Sequence, residues 1–194
     1  MSQTNNIESR ISIQVALSGY SFKIQDNEGE RSSGWLTPDR IFTTPEFQKR
    51  YDAVKISLLT PKVALIPEQF FNPMELRQML GDVVRLGEND AVEFVRMPER
   101  ASVLVFSNNV GETLSRMISQ TVFTTDGYQA RILPEMYYIL EALDKCSDYN
   151  KIVASYADGY LHLAVAQGKS LQIANTFRAV DFTTAEYFIF NTLR

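Results

Sequence analysis

Histidine and cysteine occur once each in the 194 residues, at His162 and Cys146. One cysteine excludes an internal disulfide, and the pair is too small for the Cys/His sets that hold structural zinc. The chain is also short of positive charge: 19 Lys and Arg stand against 23 Asp and Glu, a net −4. Nucleic-acid binding rests on neutralising phosphates, so this balance argues against it. No uninterrupted apolar stretch approaches the roughly 20 residues that span a bilayer. The N-terminus, "MSQTNNIESR", lacks the apolar centre of a signal peptide. These absences predict a cytoplasmic protein, without membrane insertion, whose residues 1–8 form a flexible tail.

A content of 45% hydrophobic and 22% charged residues is that of a globular chain able to bury a core. Ile11, Ile13, Val15 and Leu17 alternate with smaller or polar residues, the period of a half-buried strand. Ser18-Gly19 then reads as a two-residue hairpin loop before Tyr20–Ile24. A third strand is expected near Trp35, and Thr44-Pro45 should open a short helix. "AVKISLL" and "KVALIP" read as two strands joined by Thr60-Pro61. Asn72-Pro73-Met74-Glu75 reads as a helix start, with Leu76, Met79, Leu80 and Val83 on one face. "AVEFVRM" and "ASVLVFS" form another strand pair. Asn109 and Glu112 repeat the cap pattern before Leu114, Met117 and Ile118. "QTVFTT" and "GYQARIL" are weaker strand candidates. Pro134 opens a helix that presents Met136, Ile139, Leu140 and Leu143.

A second meander follows in "NKIVASYADGYLHLAVAQGKSLQIANTFRA", residues 150–179. Its Gly159-Tyr160 echoes Gly19-Tyr20. Thr183 and Glu186 make a fourth cap pattern, before an apolar face of Phe182, Ala185, Phe188 and Ile189. The order predicts a duplicated α/β plan: a first lobe over 9–145 and a second over 146–194.

A three-strand antiparallel meander feeding helices and strands, begun twice, resembles the actin-like (ribonuclease H-like) superfamily. More closely, "ISIQVALSGYSFKI", "KVALIPEQFF" and "GKSLQIANTFRAVDFTTAEYFIF" resemble a bacterial family known as domain of unknown function 3822, common in Bacteroidetes. The resemblance covers nearly all of the chain from about residue 10. It implies an actin-like fold, and a second lobe cut short at Arg194, because members continue past the last helix.

In actin-like ATPases the turns of the two meanders hold phosphate through backbone N–H groups, and carboxylates position hydrated Mg²⁺. The matching positions here are Ser18 and Gly19 in the first turn and Asp158 and Gly159 in the second. The first turn has no carboxylate. Asp-Gly between strands is already favoured by a two-residue hairpin, so these four residues read as vestiges of a phosphate site. The nuclease branch needs an acidic residue within the first strand, and residues 11–17 contain none.

Other candidates have plain readings. Cys146 reads as an incidental thiol, and His162 as a solvent-facing or hydrogen-bonded strand residue rather than a base or ligand. Glu88 and Asp90 in "LGEND" read as a loop without the ligand count of a calcium site. Of Phe70-Phe71, Tyr137-Tyr138 and Tyr187-Phe188 with Phe190, one ring of each pair belongs in the core and its neighbour is left to a partner or to lobe packing. The expectation is therefore a non-catalytic interaction or scaffold module with protein partners and no cofactor or metal. It would be analogous to the actin-like adaptor of type IV pilus assembly. The alternative is a nucleotide-binding ATPase or sugar-kinase-type enzyme using ATP and Mg²⁺.

Overall fold

The structure, a computed structural model, describes residues 8–109 and 112–193. In chain order its strands and helices are β1 (Arg10–Ala16), β2 (Gly19–Asp26), β3 (Gly29–Ser32), β4 (Ala53–Leu58), β5 (Val63–Pro67) and α1 (Leu76–Gly81). There follow β6 (Val92–Met97), β7 (Ser102–Ser107), α2 (Glu112–Ser119), β8 (Ile132–Pro134) and α3 (Glu135–Lys145). The last are β9 (Asn150–Ala157), β10 (Tyr160–Gln167), β11 (Ser170–Arg178) and α4 (Phe182–Thr192).

Both expected meanders are present. β1, β2 and β3 are antiparallel neighbours, and β4 joins β1 in parallel with Ile13 opposite Ile56. A parallel partner requires a crossover, and residues 33–52 provide it through two 3₁₀ turns, Pro38–Thr43 and Pro45–Gln48. The helix expected at Pro45 is thus a single tight turn. The third strand lies earlier than expected, at β3, because the turn falls at Asn27-Glu28; Leu36, beside Trp35, makes only an isolated bridge to Tyr20. The sheet order is β3-β2-β1-β4-β8. Of the weak candidates around 119–134, "QTVFTT" yields only bridges and "GYQARIL" only a bridge and β8.

Compactness divides the described chain into two units, residues 8–58 with 112–132 and residues 59–109 with 133–193. This differs from lobes meeting at residue 145. In the first unit, Ile11, Ile13, Val15, Phe22, Ile24 and Ile56 bury their side chains with Leu114, Ile118 and Val122. In the second, the apolar face of α3 (Met136, Ile139, Leu140, Leu143) packs with Val95, Leu104 and Phe106, and with Ala164 and Ala166 of the second meander. That face is why 133–145 joins the later strands. β5, β7 and β6 form one antiparallel sheet of this unit and β11, β10 and β9 the other.

The caps differ in detail from their sequence patterns. Asn72 Oδ1 accepts from the Met74 N–H at 3.0 Å, so it closes a turn before α1 rather than capping it. α1 ends at Gly81 and leaves Val83 exposed. The turn expected before α2 includes residues 110 and 111, outside the described residues. For α4 the cap is Asp181, not Thr183: Asp181 Oδ1 accepts from the Thr184 N–H at 2.7 Å. This cap holds the Asp181 carboxyl below its usual range. Asp181→Ala should therefore lower stability in urea unfolding, because the Thr184 N–H loses its side-chain acceptor.

Candidate functional site

Ser18 and Gly19 lie in the first unit. The chain at Trp35-Leu36 runs back along β2 and closes over their turn. The Tyr20 N–H donates to the Leu36 carbonyl at 2.9 Å, and the Leu36 N–H to the Tyr20 carbonyl at 2.7 Å. The Trp35 indole N–H donates to Ser18 Oγ at 3.1 Å. Gly19 has φ +154°, and a Cβ placed on it would sit 2.1 Å from the Leu36 carbonyl oxygen. Glycine is present because a backbone strand passes too close for a side chain. Tyr20 itself is buried, its hydroxyl 2.8 Å from Thr44 Oγ1 and its ring 5.3 Å from that of Phe47. A phosphate cradle converges several N–H groups on one anion; here the Tyr20 N–H is already spent on Leu36.

Asp158 and Gly159 lie in the second unit, at the tip of the β9–β10 hairpin. Their φ values are +49° and +76°, the two positive values of a type I′ turn. The Gly159 carbonyl accepts from the Ala179 N–H at 2.9 Å, and the Tyr156 hydroxyl donates to the Ala179 carbonyl at 3.3 Å. The hairpin expected at Asp-Gly is thus formed. Among the described residues no group of three or more His, Cys, Asp or Glu is placed to hold a metal.

His162 points away from Leu161 and Leu163, as its place in the strand required. Solvent is not what it meets. It lies on the side of β10 that carries Ala164 and Ala166 under α3, and it is wholly buried. Nδ1 is 3.1 Å from Thr176 Oγ1, while Nε2 has no partner among the described residues. Burial pushes its pKa down to about 4, against a smaller upward pull from the Glu135 carboxylate, so the ring is neutral at pH 7. Cys146 Sγ lies 3.5 Å from the Ala142 carbonyl. Among the described residues, Cys146 and His162 do not pair with each other as nucleophile and base.

Asp90 is more than the loop residue its sequence suggested. It is buried and accepts from Lys62 Nζ at 2.6 Å, the Gly87 N–H at 2.5 Å and Ser107 Oγ at 2.8 Å. Burial pushes its pKa up, but these donors outweigh it and hold the carboxyl at about 2. These bonds tie the start of the strand that follows to β7 and Lys62.

The paired aromatics divide largely as expected. Phe71 packs against Phe94 at 5.0 Å under the Arg96 guanidinium, and Phe70 is exposed. Phe188 stacks on Phe177 at 4.7 Å, while Tyr187 and Phe190 are 63% and 65% exposed. Tyr137 and Tyr138 meet edge to face at 5.4 Å, both half-buried. Phe182, expected on the buried face of α4, is exposed, with its ring edge-on to that of Tyr156 at 6.1 Å.

The sequence model of a family described as "Protein of unknown function (DUF3822)" matches residues 1–194. The chain belongs to this family. DUF3822 membership agrees with the resemblance carried by the three segments quoted above. No curated protein matches the sequence. Among solved structures, the chain is similar to a Bacteroides thetaiotaomicron protein of actin-like ATPase fold and unknown function. The two share 15% identity with a TM-score of 0.66, covering 98% of this chain and 78% of that one. It is similar also to a structure of the PilM–PilN type IV pilus biogenesis complex, at 13% identity and TM-score 0.52, covering 94% and 66%. The cytoplasmic domain of EpsL, from the type II secretion system of Vibrio cholerae, aligns at 12% identity and TM-score 0.48, covering 88% and 70%. This DUF3822 protein has the actin-like fold. No helix among its described residues is long and apolar enough to cross a membrane.

Sequence patterns predict a third strand near Trp35 but not that Trp35-Leu36 crosses over the first turn. The available signal was the Gly34-Trp35 step beyond the second strand, where an apolar pair follows polar residues.

Proposed function

We propose that this DUF3822 protein is a non-catalytic actin-like module that binds a protein partner in the cytoplasm. The observation that carries the reading is α4, which turns Phe182, Tyr187 and Phe190 to solvent beside the exposed Val180. Large exposed rings on one helix are the composition of a contact surface, where aromatic anchors supply most of the affinity. The closed first turn supports it, since the position matching a phosphate loop has its hydroxyl and the Tyr20 N–H engaged within the chain. The similar PilM structure is that of a complex with PilN; this supports the reading at the level of fold alone.

The alternative, a nucleotide-binding enzyme, rests on the Asp158-Gly159 turn. Thermal unfolding with ATP and Mg²⁺ separates the two. A site filled at 100 times its Kd stabilises by about 2.7 kcal/mol, whereas the module should melt within about 1 °C of its unliganded value. A shift of several degrees that is lost in Asp158→Ala would replace our reading by the enzyme. Tyr187→Lys with Phe190→Lys should abolish co-purification of a partner while leaving the melting temperature unchanged, because both rings are largely solvated.

A further inference from the structure

A second feature of the molecule lies away from both turns. In the second unit, a cavity of about 840 Å³ opens between the β5–β7 sheet, the end of α3 and the β10–β11 turn. Its volume falls in the range of about 300–1,000 Å³ typical of small-molecule sites. Leu65, Leu143, Ala166 and Leu171 give it an apolar wall.

Three polar features converge on that wall. Lys151 stands on the inward face of β9, in line with Val153, opposite Ala166 and hence in one cross-strand row with Leu171. A lysine at the end of a core-facing row is out of place unless its charge has use there. Lys169 occupies the β10–β11 turn beside it, and neither ammonium has a carboxylate partner among the described residues. Arg100, by contrast, is neutralised: Nε and Nη2 donate to Asp144 at 3.1 and 2.6 Å. The third feature is Ser102, on the side of β7 shared with Leu104 and Phe106. It lines the cavity, is buried, and its hydroxyl has no hydrogen-bond partner among the described residues. A buried hydroxyl is rarely left unpaired, and an ordered water, an ion or a ligand atom can complete it. The lining charges, with Arg100 and Asp144 cancelling, leave two lysines against the exposed Glu99.

We infer that this cavity binds a small organic carboxylate with an aliphatic or aromatic body. The carboxylate sits between Lys151 and Lys169, the body lies along the leucines, and Ser102 supplies a hydrogen bond. The reading is independent of the partner surface on α4.

Sodium octanoate is a sufficient probe, with octylammonium as the charge-reversed control, each titrated into the ¹⁵N-labelled full chain. Octanoate should give saturable amide shifts at Ser102, Gly168 and Lys169, and octylammonium none there. Lys151→Met with Lys169→Met keeps both apolar stems and should weaken octanoate by about tenfold or more, the scale of two partly screened charges. Ser102→Ala should weaken it severalfold while leaving the melting temperature unchanged or raised, since it removes an unpartnered hydroxyl. The proposal is overturned by octanoate shifts that are absent, unsaturable or centred elsewhere, by equal binding of octylammonium, or by unchanged affinity in the double lysine variant. A melting temperature lowered by several degrees in Ser102→Ala also overturns it, because the hydroxyl would then have an internal partner.

Discussion

Gly19→Ala should destabilise the protein by about 3–5 kcal/mol, a loss reserved for a few named mechanisms. Two of them act together. At φ +154° an alanine is strained, and its Cβ would meet the Leu36 carbonyl oxygen at 2.1 Å. That oxygen is backbone, paired with the Tyr20 N–H, so it can retreat only by opening the two bonds between Leu36 and Tyr20. The control is Gly34→Ala, whose Cβ would meet nothing within 4 Å. It should change stability by no more than about 0.5 kcal/mol. Urea unfolding of both variants reads the difference, and two equal, small effects would mean that the Trp35-Leu36 segment does not lie on the turn in solution.

The second large effect belongs to Asp90. Removing the carboxylate as Asp90→Ala leaves the Ser107 hydroxyl, the Gly87 N–H and a largely buried Lys62 without their shared acceptor. Breaking one side of a buried pair costs about 3–5 kcal/mol; Lys62 keeps some access to water, so a value near 3 kcal/mol is expected. The same residue gives the protein an acid limb. Its folded pKa of about 2 lies below the ordinary 3.8 of an aspartate. Folding therefore favours the charged form, and the contribution is complete above about pH 5 and lost as the pH falls through 4 towards 2. One pKa unit is 1.36 kcal/mol, so the contribution is about 2 kcal/mol. Stability measured from pH 6 to pH 2.5 should fall less steeply in Asp90→Asn than in the parent chain. Parallel curves would remove Asp90 from the explanation.

Much of the architecture was legible because it is local. The alternation of Ile11, Ile13 and Val15, the Asp158-Gly159 turn and the stripe of Met136, Ile139, Leu140 and Leu143 each state their element within a dozen residues. What was illegible is non-local. Nothing near Gly19 says that Leu36 will lie on it, and nothing near Asp90 says that Lys62 and Ser107 will converge there. His162 shows the boundary between the two: its direction in the strand followed from alternation, but its burial followed from α3, which covers a face that sequence alone leaves to water. The caps of α1 and α4 moved for a smaller reason, since an Asx side chain bonds the first suitable N–H whether or not a helix follows.

The interleaving of the two units bears on how the chain is made. As it leaves the ribosome, β1 to β4 emerge with Ile11, Ile13 and Ile56 but without Leu114, Ile118 and Val122, which complete their core. Residues 59–109 come out next and belong to the other unit, whose α3 and second meander are later still. Neither unit can close vectorially, and no single cut releases either intact. Such a chain folds through contacts of long sequence separation, which are slow to form and leave apolar strands open meanwhile. Expression of either half by itself should thus give aggregates, and dissection of this protein is better done by point substitution than by truncation.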